Sequence, residues 1–239
     1  MGCVSDKAVV MAELARAVAA QDPGSALAHR LCHAGVAMLN VVGAALTVSY
    51  TSASRVTVCA TDDRAARLED LQDVLGEGPG RTAYETGRQV TAHIGGAEDP
   101  RWPQFGGTAA ASFGPLELSA IPIRPDRRVL GVLTCHREEG VAMALDEASA
   151  QFLADAIGVA LLADPDILAD FPHGPWASRA KIHQATGMVI AQLGVGEDDA
   201  TAILRAHAFA MGKPLSDTAL DVLSGTLDFS RNDSNGGST

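Results

Sequence analysis

Three prolines within twelve residues divide this chain of 239 residues into two parts of different character. Residues 164–175 read Asp-Pro-Asp-Ile-Leu-Ala-Asp-Phe-Pro-His-Gly-Pro. Proline removes a helical hydrogen bond and clashes with the preceding turn, so no continuous helix can cross this segment. The pattern predicts a linker over residues 165–175, with a mixed helix-and-strand part before it and an all-helical part after it.

The part before the linker alternates helical and strand-like patterns. We predict an N-terminal helix within residues 1–23, a second helix capped by Ser25, and a last helix capped by Asp146. The strands are predicted at residues 43–50, 55–61, 90–94, 116–123 and 128–135. Helices that flank two hairpins in this order are typical of an α+β fold with a mixed antiparallel sheet.

The part after the linker carries three helical patterns and their stop signals. Ser178 is predicted to cap the first helix, which ends at Gly194, and Gly212 is predicted to end the second. Pro214 introduces the third. Residues 228–239 are polar and rich in Gly, Ser and Asn, which predicts a flexible tail.

The charge of the chain does not indicate a partner. Residues 1–175 hold 13 basic and 22 acidic side chains, and residues 176–239 hold 5 and 7, so neither part is basic. A basic surface is the usual signature of nucleic-acid binding, and the overall charge lacks it. No apolar run reaches the roughly 20 residues that a membrane helix needs, and no signal peptide is visible, so we expect a cytoplasmic protein.

Four cysteines, at positions 3, 32, 59 and 135, include no CxxC pair and are predicted to be free thiols. Cys59 and Cys135 fall late in separate strands. A thiolate pair there could act as a redox sensor or a reductase site. Buried, inert thiols are the favoured interpretation, because cysteine is among the most buried residue types.

Two further patterns resemble ligand sites but favour structural roles. His29 and His33 share a helix face near Cys32, which suggests a surface or dimer-face pair rather than a metal site. The segment 76–80 is rich in glycine but lacks the Lys-Ser/Thr of a phosphate loop, so we predict a turn.

Aromatic residues make up only 4% of the chain, and Tyr84, Trp102 and Phe105 could line a ligand pocket or simply form core. No Ser-His-Asp elbow, HExxH or kinase motif is present, so we assign no catalytic residues, no metal and no cofactor and predict that the protein is not an enzyme.

The helical part contains a recognisable sequence block. The block Gln184-Ala185-Thr186-Gly187-Met188 is followed by a Leu-Arg-Ala triplet at residues 204–206. Together with the flanking residues it resembles the ANTAR domain of transcription antiterminators over roughly residues 176–227, all three predicted helices.

The first part resembles a GAF domain over about residues 24–164. The supporting stretches are Leu-Gly-Glu-Gly-Pro-Gly at 75–80, Gly-Arg-Gln-Val at 87–90, Pro-Arg-Trp-Pro at 100–103 and Leu-Gly-Val-Leu at 130–133. The order of these motifs and the adjacent ANTAR-like segment carry this resemblance together.

These resemblances imply a sensor joined to an output module. ANTAR domains bind paired RNA hairpins of a leader transcript as dimers, which prevents a terminator from forming. GAF domains bind a small molecule, dimerise, or do both. We therefore predict a homodimeric regulator that acts by antitermination, with an unidentified small-molecule ligand at the GAF domain. Two alternatives stay open: a sensor whose ANTAR domain serves only dimerisation, and a GAF-type thiol oxidoreductase.

The predicted RNA-binding residues combine cations with a point of close backbone approach. RNA recognition needs positive charge for phosphates and access to loop bases. Gly187 is costly within a helix, so it serves either RNA approach or tight helix packing. The full predicted set is Arg179, His183, Gln184, Gly187, Arg205 and Lys213. A solvated helix face is the alternative interpretation of the same residues.

Overall fold

The computed structural model describes residues 3–51, 54–97, 99–125, 128–164 and 175–230, with only the backbone described at 3–6, 49–51, 54–55, 175–180 and 183. The chain forms two compact units. One comprises residues 1–72 and 77–169, and the other residues 73–76 and 170–239.

The first unit contains a five-stranded sheet and helices on both of its faces. Its helices are α1 (Cys3–Ala19), α2 (Leu27–Leu39), α3 (Asp63–Leu75), α4 (Pro79–Thr86), α5 (Phe105–Phe113) and α6 (Glu147–Leu162). The last residues of α3, 73–75, are assigned to the second unit. Its strands are β1 (Gly43–Thr51), β2 (Ser54–Ala60), β3 (Val90–Ile94), β4 (Leu116–Ile123) and β5 (Gly131–Arg137).

The strand order is β2-β1-β5-β4-β3, and every neighbouring pair is antiparallel. The predicted α+β class is therefore confirmed. Helices α1, α2 and α6 pack on one face around Leu31, Leu133 and Ile157, each at most 2% exposed. Helix α4 packs on β3, β4 and β5, and helix α5 packs on β3. Ala83 of α4 and Phe105 of α5 are fully buried.

Two glycines allow close contacts within this unit. A Cβ atom on Gly131 of β5 would collide with the backbone oxygen of Thr47 on β1. A Cβ atom on Gly158 of α6 would collide with the Ile123 side chain of β4. The sheet and α6 therefore approach to distances that only glycine permits at these positions.

The second unit contains helices α7 (Pro175–Leu193), α8 (Glu197–Met211) and α9 (Leu215–Leu223). Gly194 and Gly212 have φ angles of +68° and +60° and end α7 and α8 as predicted. The small core is lined by Ala185, Val189, Ala200, Leu204, Ala208, Leu215, Ala219 and Val222. Alanine at so many core positions lets the helices pack closely.

Two predicted helix starts are wrong. Helix α2 begins at Leu27 after Ala26, and Ser25 instead donates its backbone N–H to Asp22 in the preceding turn. Helix α7 begins at Pro175, so Ser178 lies inside it rather than capping it. Proline fits the first turn of a helix because the N–H it lacks has no intrahelical partner there.

Other segments differ from the prediction by a few residues. Strand β5 begins at Gly131 rather than at 128, and α4 begins at Pro79, within the predicted turn. Residues 228–230 of the predicted tail are folded, and Phe229 packs against the second unit's core. The rest of that tail and residues 165–174 of the predicted linker lie outside the described residues.

Helix α1 also packs into the core of the first unit through Val10 and Leu14, both 5% exposed. The N-terminal helix therefore belongs physically to the sheet-containing unit. Among the described residues, no helix combines the length and apolarity that crossing a bilayer requires.

Candidate functional site

The exposed face of α7 contains a glycine, Gly187. Gln184 and Gly187 are exposed, whereas Ala185 and Val189 on the opposite side are fully buried. A Cβ atom built on Gly187 would meet no atom within 4 Å beyond its own helix. Tight packing within the described structure therefore does not explain this glycine, which costs about 1 kcal/mol relative to alanine.

Thr186, the neighbour of Gly187, turns away from that face. It is 5% exposed, and its hydroxyl donates to the backbone oxygen of Ile182 at 2.9 Å. A side chain at this position belongs to the core side of the helix.

The structure describes the side chains of two of the predicted cations, Arg205 and Lys213. Arg205 on α8 is half-buried, with its Nε atom buried. Lys213 is exposed and forms an ion pair with Asp221, with Nζ 2.9 Å from Oδ2. The side chains of Arg179 and His183 lie outside the described residues, although both backbones are in α7. The structure thus brings Gln184 and Gly187 onto one face and leaves the cationic surface a prediction.

The first unit encloses a buried polar network that sequence reasoning missed. Thr47 donates to Glu69 Oε2 at 3.0 Å, and Gln72 Nε2 donates to Glu69 Oε1 at 2.8 Å. The backbone N–H of Gly80 donates to Gln72 Oε1 at 2.7 Å. Gln72 therefore connects α3 to the first turn of α4 inside the protein.

This network explains the glycine-rich stretch. Gly78 has a φ angle of +138°, and Cβ atoms on Gly78 or Gly80 would lie within 3 Å of Gln72. The Gly80 amide, which a phosphate would need, is already occupied by Gln72. Residues 76–78 form the predicted turn, whereas Pro79 and Gly80 already belong to α4.

Two of the three aromatic residues singled out in the sequence, Trp102 and Phe105, are part of the core. Trp102 is 3% exposed and Phe105 is fully buried, while Tyr84 is half-buried. Trp102 Nε1 donates to the Thr82 hydroxyl at 2.9 Å. Glu77 Oε1 accepts the backbone N–H groups of Gln104 and Phe105, both at 2.7 Å, which holds the start of α5.

The three thiols whose side chains are described are buried, as the sequence analysis favoured. Cys32, Cys59 and Cys135 are all buried and free. The Cys32 thiol donates a hydrogen bond to the backbone oxygen of Ala44 at 3.6 Å. Burial raises the pKa of Cys135 to about 12, which keeps this thiol protonated and unreactive.

The two histidines beside Cys32 face solvent, whereas Cys32 itself is fully buried, so the three do not converge. Within the described part of the chain, no group of three or more His, Cys, Asp or Glu side chains could hold a metal ion.

The sequence analysis also missed a contact between a buried histidine and a half-buried aspartate. His136 is 2% exposed, and its Nε2 lies 3.0 Å from Asp62 Oδ2. Burial raises the pKa of Asp62, but the Ala65 N–H and His136 together outweigh it, so the pKa lies below its usual value. Asp62 therefore caps the N-terminus of α3 through the Ala65 N–H and contacts β5 through His136.

Two family models match the chain. A GAF domain model matches residues 10–161, and an ANTAR domain model matches residues 176–223. The chain belongs to the GAF domain family and carries a C-terminal ANTAR domain. GAF and ANTAR domains are regulatory rather than catalytic domains. The exposed Gly187 lies on the first helix of the ANTAR domain, and the buried network around Gln72 lies in the GAF domain.

The comparison with solved structures gives distant similarities. The chromophore-binding domain of Stigmatella aurantiaca bacteriophytochrome is 12% identical, with a TM-score of 0.42, over 69% of this chain and 62% of that one. The GAF domain of A. aeolicus nlh2 in an inactive state is 14% identical, with a TM-score of 0.40, over 65% and 91%.

An RNA-binding light-oxygen-voltage receptor is 20% identical, with a TM-score of 0.23, over 77% and 46%. This chain thus spans about 62% of the length of the bacteriophytochrome domain. None of these scores supports a functional argument. No curated protein matches the sequence.

Proposed function

We propose that this protein regulates transcription by binding RNA hairpins of a leader transcript through its ANTAR domain. Binding prevents a terminator from forming, and the GAF domain controls the affinity. The observation that carries this proposal is the exposed Gly187. Among the described residues, no atom fills the space that a side chain at this position would occupy.

An exposed glycine within a helix opens the backbone to a partner. A side chain at this position would hold an RNA base or sugar away from the helix, and the recognition of loop bases depends on close stacking and hydrogen bonding. Gln184 is three residues away on the same exposed face. Its amide both donates and accepts hydrogen bonds, so it can pair with the edge of an unstacked base.

Electrostatics contributes little to this proposed interface. Residues 176–239 hold 5 basic and 7 acidic side chains. Lys213 is engaged with Asp221, and an exposed pair of this kind is worth at most about 1 kcal/mol, so a phosphate can displace the carboxylate. We therefore expect a shallow salt dependence, with a loss of roughly 0.7–0.9 logarithmic units of affinity per phosphate contact and decade of salt.

The decisive experiment is a binding titration of the full-length protein with a two-hairpin leader RNA recovered by crosslinking from its own cell. In Gly187→Ala, helix stability rises by about 1 kcal/mol, and we expect affinity to fall by about tenfold or more, which is about 1.4 kcal/mol of lost binding energy.

Gly107→Ala is the matched control. Gly107 is also an exposed helical glycine, on α5, and a Cβ atom there would meet nothing within 4 Å. This variant should gain similar stability without a change in RNA affinity. Equal RNA affinity of Gly187→Ala and the wild type would overturn the proposed use of this surface.

We also propose that the GAF domain makes the protein a homodimer through α1 and α6. These helices pack on each other and expose Val9, Met11, Val159 and Leu162, each between 46% and 57% exposed. Burial of such side chains stabilises association by about 25 cal/mol per Å². Sedimentation should show a dimer that Val159→Glu dissociates, whereas Val42→Glu, at an equally exposed valine before β1, leaves it intact.

One observation favours an alternative role for the ANTAR domain. Phe209, Met211 and Leu220 are between 42% and 57% exposed, and exposed apolar side chains favour contact with another protein. Absence of RNA binding at low salt would support this role over antitermination.

The proposed boundaries are an N-terminal helix within 1–23, a GAF domain over 24–164, a linker over 165–175 and an ANTAR domain over 176–227. A small ligand of the GAF domain can gate RNA binding only if it binds the two arrangements with different affinities. The proposal includes no catalytic step and no cofactor, and it places the protein in the cytoplasm with the transcript.

A further inference from the structure

We infer that residues 73–76, here called the α3 tail, complete the core of the ANTAR domain and position Arg205, so that the GAF domain acts on this predicted RNA-binding residue through helix α3. The part of the inference that concerns the core does not require RNA. Its effect on RNA affinity rests on the proposed function, in which the GAF domain controls that affinity.

The α3 tail belongs to the second unit, although it precedes α4 of the first unit in the chain. Val74 is 7% exposed and lies in the core cluster of the second unit. The same cluster contains Val189 of α7 and Leu204 of α8, both fully buried. The ANTAR domain model matches only residues 176–223. The core of this ANTAR domain therefore includes a side chain from outside the matched segment.

The core of the second unit is small, so a single side chain contributes much of it. Among the described residues the cluster has nine buried members, of which four are alanine and Val74 is one of the five larger side chains. A small domain buries a low fraction of its surface and has little stability in reserve. Truncating a buried side chain removes apolar contacts and leaves a cavity. Val74 is therefore a structural part of the ANTAR domain.

The end of the α3 tail lies against Arg205. Gly76 has a φ angle of +68°, and a Cβ atom built on it would lie 3.1 Å from Nη1 of Arg205. The guanidinium group therefore packs over the backbone of Gly76, where glycine permits both the φ angle and the close approach. Arg205 itself is half-buried and follows Leu204 of the core. The α3 tail thus positions a group whose charge and planar fork suit an RNA phosphate.

Helix α3 connects this tail to the buried polar network of the GAF domain. The helix is continuous from Asp63 to Leu75. Glu69 accepts the hydroxyl of Thr47, and Gln72 accepts the N–H of Gly80. Backbone hydrogen bonds join successive turns of a helix, so the last turn moves with the one before it. A ligand that binds two positions of α3 with different affinities therefore changes the support of Arg205.

The first test is hydrogen exchange of the full-length protein, read on peptides of α7 and α8. Val74→Ala should speed exchange in these helices by about tenfold, because the truncation weakens the core that protects them. Val56→Ala is the matched control. Val56 is 6% exposed on β2 and lies outside the second unit's cluster, so exchange in α7 and α8 should stay unchanged. Wild-type exchange in Val74→Ala would overturn the role of the α3 tail.

The second test perturbs α3 at a position that lies in the first unit. Gln72→Leu removes the bonds to Gly80 and Glu69, and we expect faster exchange in α7 and α8 as well as in the sheet. If this variant fails to fold, the milder Thr47→Val, which removes one donor to Glu69, gives the same comparison. Faster exchange in the sheet with no change in α7 and α8 would refute transmission through α3.

The third test is the titration with the two-hairpin leader RNA at several salt concentrations. In Val74→Ala, affinity should fall, and the slope of log affinity against log salt should become shallower by about 0.7–0.9, the share of one phosphate contact. Lower affinity with the wild-type slope would mean that the core is weakened without any effect on Arg205, and would overturn the positioning role. Absence of RNA binding by the wild type would refute the proposed function and the effect on RNA, while the exchange measurements still decide the role of the α3 tail.

Discussion

Replacing Gln72 with leucine tests whether the buried polar network stabilises the GAF domain. The wild-type amide satisfies the Gly80 N–H at 2.7 Å and donates to Glu69 Oε1 at 2.8 Å, in surroundings where Gln72 is 1% exposed. Leucine has a similar volume but neither group. The Gly80 donor loses its acceptor and the Glu69 carboxylate loses a donor, and each such loss in a buried place costs about 1–3 kcal/mol.

We expect the two losses to lower the free energy of unfolding of the first unit by about 2–4 kcal/mol, because the added apolar surface of leucine offsets part of them. Urea unfolding read by pulsed hydrogen exchange on peptides of the sheet isolates this unit from the ANTAR domain. Gln89→Leu is the matched control. It removes one exposed hydrogen bond to Glu147 and should change stability by less than about 1 kcal/mol. Equal effects of the two substitutions would refute the argument.

Three further predictions follow from contacts in the same domain. Gly131→Ala should destabilise it by several kcal/mol, on the order of 3 or more, because the new Cβ meets the backbone oxygen of Thr47, which cannot move aside; thermal unfolding measures this. Asp62→Asn should weaken the loss of folding stability at acid pH. Because the pKa of Asp62 is depressed in the folded state, its contribution to the free energy of unfolding is present above about pH 4 and is lost as the pH falls through the folded-state pKa. Glu77→Ala should speed hydrogen exchange in α5 by roughly tenfold, because two backbone N–H groups lose their acceptor.

Each of these predictions has a result that contradicts it. An alanine at position 131 with wild-type melting would mean that the two strands can separate locally. An unchanged loss of stability at acid pH in the asparagine variant would assign acid unfolding to other carboxyl groups. For Glu77, the comparison is Glu85→Ala, which breaks an exposed ion pair with Arg81 and should leave α5 exchange unchanged.

Local patterns predicted the parts of the fold that depend on local physics. Strands β3 and β4 have the predicted bounds because alternating or continuous apolar runs specify them directly. Gly194 and Gly212 end their helices because a left-handed residue there favours glycine. The start of α7 was predicted wrongly. Ser178 was predicted to cap this helix, but the helix begins at Pro175, because proline fits the first turn of a helix.

The features that sequence reasoning missed depend on tertiary packing rather than on a local pattern. The contact of His136 with Asp62 joins residues 74 positions apart. Glu69 and Gln72 join α3 to β1 and α4, and no spacing in the sequence encodes this arrangement. At Gly187 the sequence left two explanations open, and no atom of the described residues lies within 4 Å of a Cβ built there. The side chains of Arg179 and His183 stay untested.

The strand order has a consequence for how the protein is made. The two inner partners β1 and β5 are distant in the sequence, since β1 ends at Thr51 and β5 begins at Gly131. A ribosome adding about 5–20 residues per second needs roughly 4–16 s to synthesise the chain between them. During that time the β1–β2 hairpin has no neighbour on its inner side, so the nascent chain carries an unpaired strand that a chaperone or a second nascent copy can capture.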